Sequence, residues 1–149
     1  MENFIHWVAI FTVNSIVVAL TVVIHYEFLF QLNRCIPRLA IPVRYRIVAG
    51  VLGTLVAHAV EIWVFAAAFF WMHHTEGWGR LVGPEVAFID CVYYSFTVYS
   101  TLGFGDIVPE GDLRYLTGIE ALVGLVMITW SASFLYLEMQ KDWKVGGER

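Results

Sequence analysis

Ser100-Thr101-Leu102-Gly103-Phe104-Gly105-Asp106 is a polar, glycine-interrupted segment lying between two long apolar runs. Glycine reaches positive φ at little steric cost, so alternating glycines let a short backbone turn its carbonyls toward one axis. The threonine at the inner end adds a side-chain oxygen to the same column. Irregular backbone of this kind cannot face lipid and must be buried in protein or line a water-filled cavity. A segment with these properties suits the holding of a dehydrated cation by carbonyl oxygens.

The rest of the chain supplies a membrane context. Its 149 residues are 59% hydrophobic and only 15% charged, with a mean hydropathy of +0.69, which is outside the range of ordinary soluble domains. The formal charge of −4 argues against nucleic acid as a partner. Cys35 and Cys91 have neither metal-ligand nor redox spacing, so packing is their expected role. The N-terminal apolar run is too long for a signal-peptide core and lacks a basic flank, so it is read as a true span.

Three runs meet the length of about 20 apolar residues that crosses a bilayer: 4–30, 47–72 and 115–137. Trp7, Tyr26, Trp71, Tyr115 and Trp143 stand near their ends as interfacial aromatics. The linker between the first two runs carries Arg34, Arg38, Arg44 and Arg46, with Pro37 and Pro42 interrupting any continuous helix. Lys141, Lys144 and Arg149 follow the third run, whereas the long second connection holds only Arg80 and Arg114. The positive-inside rule then predicts a cytoplasmic linker and C-terminus, with the N-terminus outside. Within the second connection, Gly77, Gly79, Gly83 and Pro84 predict an irregular rim. Residues 85–99 predict a short helix that starts at Pro84-Glu85 and dips into the membrane with its negative end toward the polar segment.

A span, a re-entrant helix, Thr101-Leu102-Gly103-Phe104-Gly105-Asp106 and a second span together resemble the potassium channel pore-domain family over residues 47–137. The T-V-G-Y-G loop of that family is the type case of a carbonyl-ring filter. Here Leu102 stands for the usual Val and Phe104 for the usual Tyr, as in second pore loops of two-pore-domain channels and in small bacterial relatives. Asp106-Ile107-Val108-Pro109 also resembles the stretch after the filter.

The resemblance implies an all-α membrane protein: three transmembrane helices plus a re-entrant pore helix and filter loop, assembled as a homotetrameric channel. The expected organisation is an additional helix at 1–33, a basic linker at 34–46, a pore domain at 47–140 and a tail at 141–149. Within the pore domain the outer helix is expected at 47–73, the pore helix at 85–99, the filter at 101–106 and the inner helix at 114–139. Potassium would be bound by the carbonyls of Thr101, Leu102, Gly103 and Phe104 and the Thr101 hydroxyl, with Gly105 closing the outer end. Asp106, Tyr93, Tyr94 and Thr97 would support the filter from behind. Thr97 stands where some bacterial channels carry a glutamate, and Phe104 lacks the hydroxyl with which a tyrosine ties the filter to the pore helix. Gly124 is a candidate gating hinge, with close helix packing as the alternative.

Three ionisable residues lie inside the spans, where charge is costly and marks function by default: His58, Glu61 and Glu120. His58 and Glu61 share one helix face at i, i+3. They are expected to form a buried strut, with a proton-sensitive or metal-binding cluster as the sharper alternative. As a metal site the pair is short of ligands, since three or four are needed. His25 and Glu27 are expected among lipid headgroups beside linker arginines such as Arg34. His73 and His74 are expected to be solvated at the outer interface. Six acidic residues between Glu76 and Asp112 would make the outer mouth electronegative and attract cations.

No span carries regularly spaced arginines, so no voltage sensor is expected, and the few residues after the third span predict no attached ligand-binding domain. The overall expectation is a potassium-selective channel and not an enzyme, with potassium as permeant ligand, no cofactor, lipid as surroundings and an unidentified regulatory subunit as a candidate partner. A prokaryotic plasma membrane is the expected location. The alternatives are a weakly selective cation channel, a non-conducting sensor or accessory subunit and, more distantly, a metalloenzyme built on His58, Glu61 and Glu120.

Overall fold

The computed structural model describes residues 2–38, 40–83 and 86–146, and within them the side chains of all but 2, 3, 43 and 142–146. Pro84, Glu85 and Arg149 thus lie outside the described residues. Four α-helices run in the order α1 Glu2–Cys35, α2 Val43–His73, α3 Phe88–Tyr99 and α4 Leu113–Gly146, with one 3₁₀ turn at Ile36–Arg38. Two three-residue strands, β1 Arg80–Val82 and β2 Val108–Glu110, pair antiparallel with Leu81 opposite Pro109.

Three of the helices (α1, α2 and α4) are long and apolar enough to cross a membrane. The 34 residues of α1 correspond to about 50 Å at 1.5 Å per residue, well beyond the roughly 30 Å of a hydrocarbon core. These helices are apolar around their whole circumference, as helices surrounded by lipid and by one another are. Phe4, Ile5, Ile16, Val23, Leu52, Leu55, Leu122 and Leu125 project outward from the single chain. In water that surface would oppose folding, whereas in lipid it costs nothing. The chain is a multi-pass membrane protein.

The linker bends as its prolines require. Helix α1 stops two residues before Pro37, and α2 starts directly after Pro42. The short helix α3 has one buried face, built from Cys91, Val92, Tyr94, Ser95, Val98 and Tyr99. That face meets Phe65, Phe69 and Met72 of α2 and Leu116, Val123 and Met127 of α4 in one continuous core. Helix α1 packs against both α2 and α4, in the groove between them and not only on α2.

Two details depart from the expectations. Helix α3 begins at Phe88, three residues after the expected start, because Asp90 accepts a hydrogen bond from the Ala87 backbone N–H (2.8 Å) and closes the first turn there. The rim expected to be irregular contains the β1–β2 pair, which fastens the segment before α3 to the segment after the polar loop. Its Leu81 is buried, its Leu81 N–H donates to His73 Nδ1 (3.0 Å), and Arg80 Nε donates to Glu110 at 2.9 Å. His73 is therefore partly occupied in structure and not simply solvated. Cys91 lies in the core as expected, whereas Cys35 is exposed; both are unpaired.

Candidate ion-conducting site

The loop that follows α3 has a regular backbone alternation. Thr101, Gly103 and Gly105 have positive φ (59°, 53° and 79°), while Leu102 and Phe104 do not. Switching hand at every second residue brings successive carbonyls to the same side of the chain, which a strand, whose carbonyls alternate, does not do. Glycine takes this conformation freely. A β-branched residue such as Thr101 takes it only under strain, of order 1–3 kcal/mol, which persists where surrounding structure imposes it.

The end of α3 imposes it. The Thr97 carbonyl accepts hydrogen bonds from Leu102 N–H (2.8 Å) and Gly103 N–H (3.0 Å), and the Val98 carbonyl accepts from Thr101 N–H (2.9 Å). The N–H groups of Thr101, Leu102 and Gly103 are thus spent on the helix behind the loop. Residues 101–106 are all exposed in the single chain. Because α3 leads straight into the loop, the negative end of its dipole lies at Thr101, where it favours a cation.

Behind the loop, the Tyr93 hydroxyl donates to Asp106 Oδ2 at 2.7 Å, and the Ile107 N–H donates to Oδ1 at 3.1 Å. The Tyr93 ring lies parallel to that of Phe104, 6.4 Å between centroids and 4° between planes. Stacking thus gives Phe104 a contact with α3 that its missing hydroxyl cannot. Tyr94 points the other way, with its ring 5.0 Å from Phe69 and its hydroxyl 2.9 Å from Thr117 Oγ1. Thr97 donates its hydroxyl to the Tyr94 carbonyl within α3, so its contribution to the loop comes through its backbone oxygen.

Gly124 of α4 faces the end of α3: a Cβ there would stand 2.2 Å from the Tyr99 carbonyl oxygen. Close backbone approach is the role the structure gives it. Helix α4 runs unbroken through this position.

The intramembrane polar residues separate into two groups. Glu120 meets Ser95, whose hydroxyl also lies 2.9 Å from the Ile62 carbonyl. Glu61 meets a different set, including His25, whose expected place was among lipid headgroups. His25 is fully buried, with Nδ1 2.8 Å from Glu61 Oε1 and Nε2 3.5 Å from Ser131 Oγ. Its ring also packs on Trp130 of α4. His58 Nδ1 lies 3.4 Å from Glu61 Oε2 and 3.0 Å from the Tyr99 hydroxyl, which itself donates to Glu61. Three helices therefore meet at one carboxyl group, α1 through His25, α2 through Glu61 and His58, and α3 through Tyr99, while α4 touches His25 from its other side.

The place of His25 had a signal in the sequence: the polar residues Asn14, Thr21 and His25 recur at i, i+7 and i+11 and fall on one stripe with Ile10 and Leu29. All five are buried. Polar residues confined to one stripe of an apolar helix mark the face turned away from lipid.

A family profile described as "Ion channel" matches residues 57–141, which take in most of α2, all of α3, the loop and nearly all of α4. The chain belongs to this ion channel family. A further comparison finds 39% identity over 44 residues with the "Potassium channel protein kcv" of Paramecium bursaria Chlorella virus 1. That match covers 30% of this chain and 47% of the viral protein, so the chain spans about half the length of the curated relative. No solved structure matches the chain. Together the two matches support the resemblance to potassium channel pore domains. Helix α1 lies outside the matched residues.

Proposed function

We propose that four copies of this chain surround a common axis and conduct potassium selectively through a filter made of the carbonyls of Thr101, Leu102, Gly103 and Phe104 and the Thr101 hydroxyl, with Gly105 at its outer end. The observation that carries this reading is the alternation of φ at Thr101, Gly103 and Gly105 together with the use of the loop's N–H groups by Thr97 and Val98. One chain offers one column of oxygens, and replacing an ion's hydration shell takes several columns around the ion. Cyclic symmetry is the closed arrangement that supplies them. Asp106, held by Tyr93, sets the back of the loop, and α4 lines the cavity below it. The basic linker and tail support a cytoplasmic C-terminus with the N-terminus outside, and the membrane in this reading is a prokaryotic plasma membrane. No cofactor is needed, since the permeant ion is the ligand.

The test is ion flux into proteoliposomes holding the purified protein. Potassium flux well above sodium flux, blocked by barium and absent in Gly103→Ala, is the expected result. Equal potassium and sodium fluxes would reassign the pore as weakly selective, a reading that Leu102 and Phe104 favour. Absence of flux from a verified tetramer would favour a non-conducting accessory subunit.

A further inference from the structure

We propose that His25, His58 and Glu61 form a binding site for a divalent transition-metal ion of the zinc class, buried between α1 and α2 and touching the last residue of α3. Taken alone, the His58–Glu61 pair is two ligands on one helix. The fold brings a third, His25, from a helix more than thirty residues away in sequence. One ligand atom from each of the three lies within 4.8 Å of the others.

Two imidazoles and a carboxylate are a donor set that zinc takes, with a fourth position filled by water or another oxygen. Zinc–ligand bonds of about 2.0–2.2 Å in a tetrahedron put ligand atoms about 3.4 Å apart. Of the observed separations from the Glu61 oxygens, 3.4 Å for His58 Nδ1 meets that spacing, and 2.8 Å for His25 Nδ1 is shorter by the length of a small side-chain shift. Rotation of side chains already in contact is enough to admit the ion. The Tyr99 hydroxyl lies 3.0 Å from His58 Nδ1, so a water in the fourth place would have a hydrogen-bond partner beside it. Ser131 Oγ lies 3.5 Å from His25 Nε2, where a ligating histidine's other nitrogen is usually anchored.

Here both imidazoles turn the same nitrogen, Nδ1, toward one carboxylate, and His58 Nδ1 is shared between Glu61 and Tyr99. A carboxylate inside a membrane is also costly without a compensating charge, and a divalent ion supplies one. Access is present: the His58 side chain borders a cleft of about 460 Å³ between α2, the end of α3 and α4, lined also by Thr54, Tyr99, Ser100 and Ser131. The cleft reaches the base of the loop at Ser100.

Coordination would draw Glu61 away from Tyr99, which stands two residues before Thr101. Zinc binding is thus expected to alter conduction, a consequence that rests on the pore function proposed above. Binding itself is read without any flux, so the two can fail separately.

The experiment uses the full-length protein in detergent, stripped with chelator and titrated with Co²⁺, then with competing Zn²⁺. The expected result is one Co²⁺ per chain with ligand-field absorption of a four-coordinate site, displaced by Zn²⁺. His25→Gln and His58→Gln should each weaken binding at least about tenfold, as loss of a single support of a metal site does, while His6→Gln and His74→Gln leave it unchanged. X-ray absorption on the zinc-loaded wild type reads the ligands without any substitution, and two imidazoles per zinc are expected. Binding that survives both His25→Gln and His58→Gln, fewer than two imidazoles in the zinc shell, or no Co²⁺ bound by the folded wild type would overturn the proposal.

Discussion

The Tyr99 carbonyl oxygen stands 2.2 Å from the point where any residue but glycine would place a Cβ at position 124. The neighbour is backbone at the end of α3, so it cannot move aside as a side-chain tip can. Gly124→Ala should therefore push α4 away from α3, at a cost of about 1–3 kcal/mol typical of overpacking. A lowered thermal midpoint of the purified assembly is the expected outcome. An unchanged midpoint with altered open probability would instead identify Gly124 as a hinge.

Position 103 makes a different demand. A Cβ there meets nothing within 4 Å of its own chain, yet φ is +53°. The left-handed region costs an alanine roughly 1–2 kcal/mol, and the loop can escape the cost by turning its carbonyls. Gly103→Ala should leave assembly intact on size-exclusion chromatography while abolishing potassium flux.

Tyr93 and Asp106 act through one hydrogen bond, 2.7 Å long. Tyr93→Phe and Asp106→Asn should each reduce the potassium-over-sodium permeability ratio, and the double variant should be no worse than either single one. Additive losses in a double-mutant cycle would show that the two side chains act independently.

Glu61 holds His25, His58 and Tyr99 at once. Glu61→Ala would leave His25, Tyr99 and the part-buried His58 without the carboxyl group they share, and at about 1–3 kcal/mol for each buried group left unpaired the loss should exceed that of any single group. Tyr99→Phe removes one member while His25 and His58 keep Glu61, so its cost should be nearer the 1–3 kcal/mol of a single buried group. Thermal unfolding followed by tryptophan fluorescence orders the two. Equal destabilisation would mean that Tyr99 carries the network.

The Arg80–Glu110 pair is exposed on both sides. Solvent screening leaves such pairs about 0–1 kcal/mol, so Glu110→Gln should barely change the thermal midpoint. It should still lower potassium conductance at low ionic strength, because an acid at the mouth focuses cations, and the difference should vanish at high salt.

The sequence by itself determined the spans, the breaks at Pro37 and Pro42 and the loop at 101–106. Each is a local property: hydrophobic length, a missing N–H, and a glycine alternation that only certain φ values explain. It also placed Asp106 behind the loop through a family resemblance. The tertiary structure decided what depended on which helices touch. It sent Tyr94 to Thr117 and Phe69 instead of to Asp106, made Thr97 a backbone acceptor, and separated Glu120 from Glu61. Above all it carried His25 from an expected headgroup position to full burial against Glu61. A helix that is apolar on every side has a weak preferred face, so its rotation is chosen by the few polar atoms that must find partners away from lipid. Those partners lie on other helices, and only the folded chain brings them within reach.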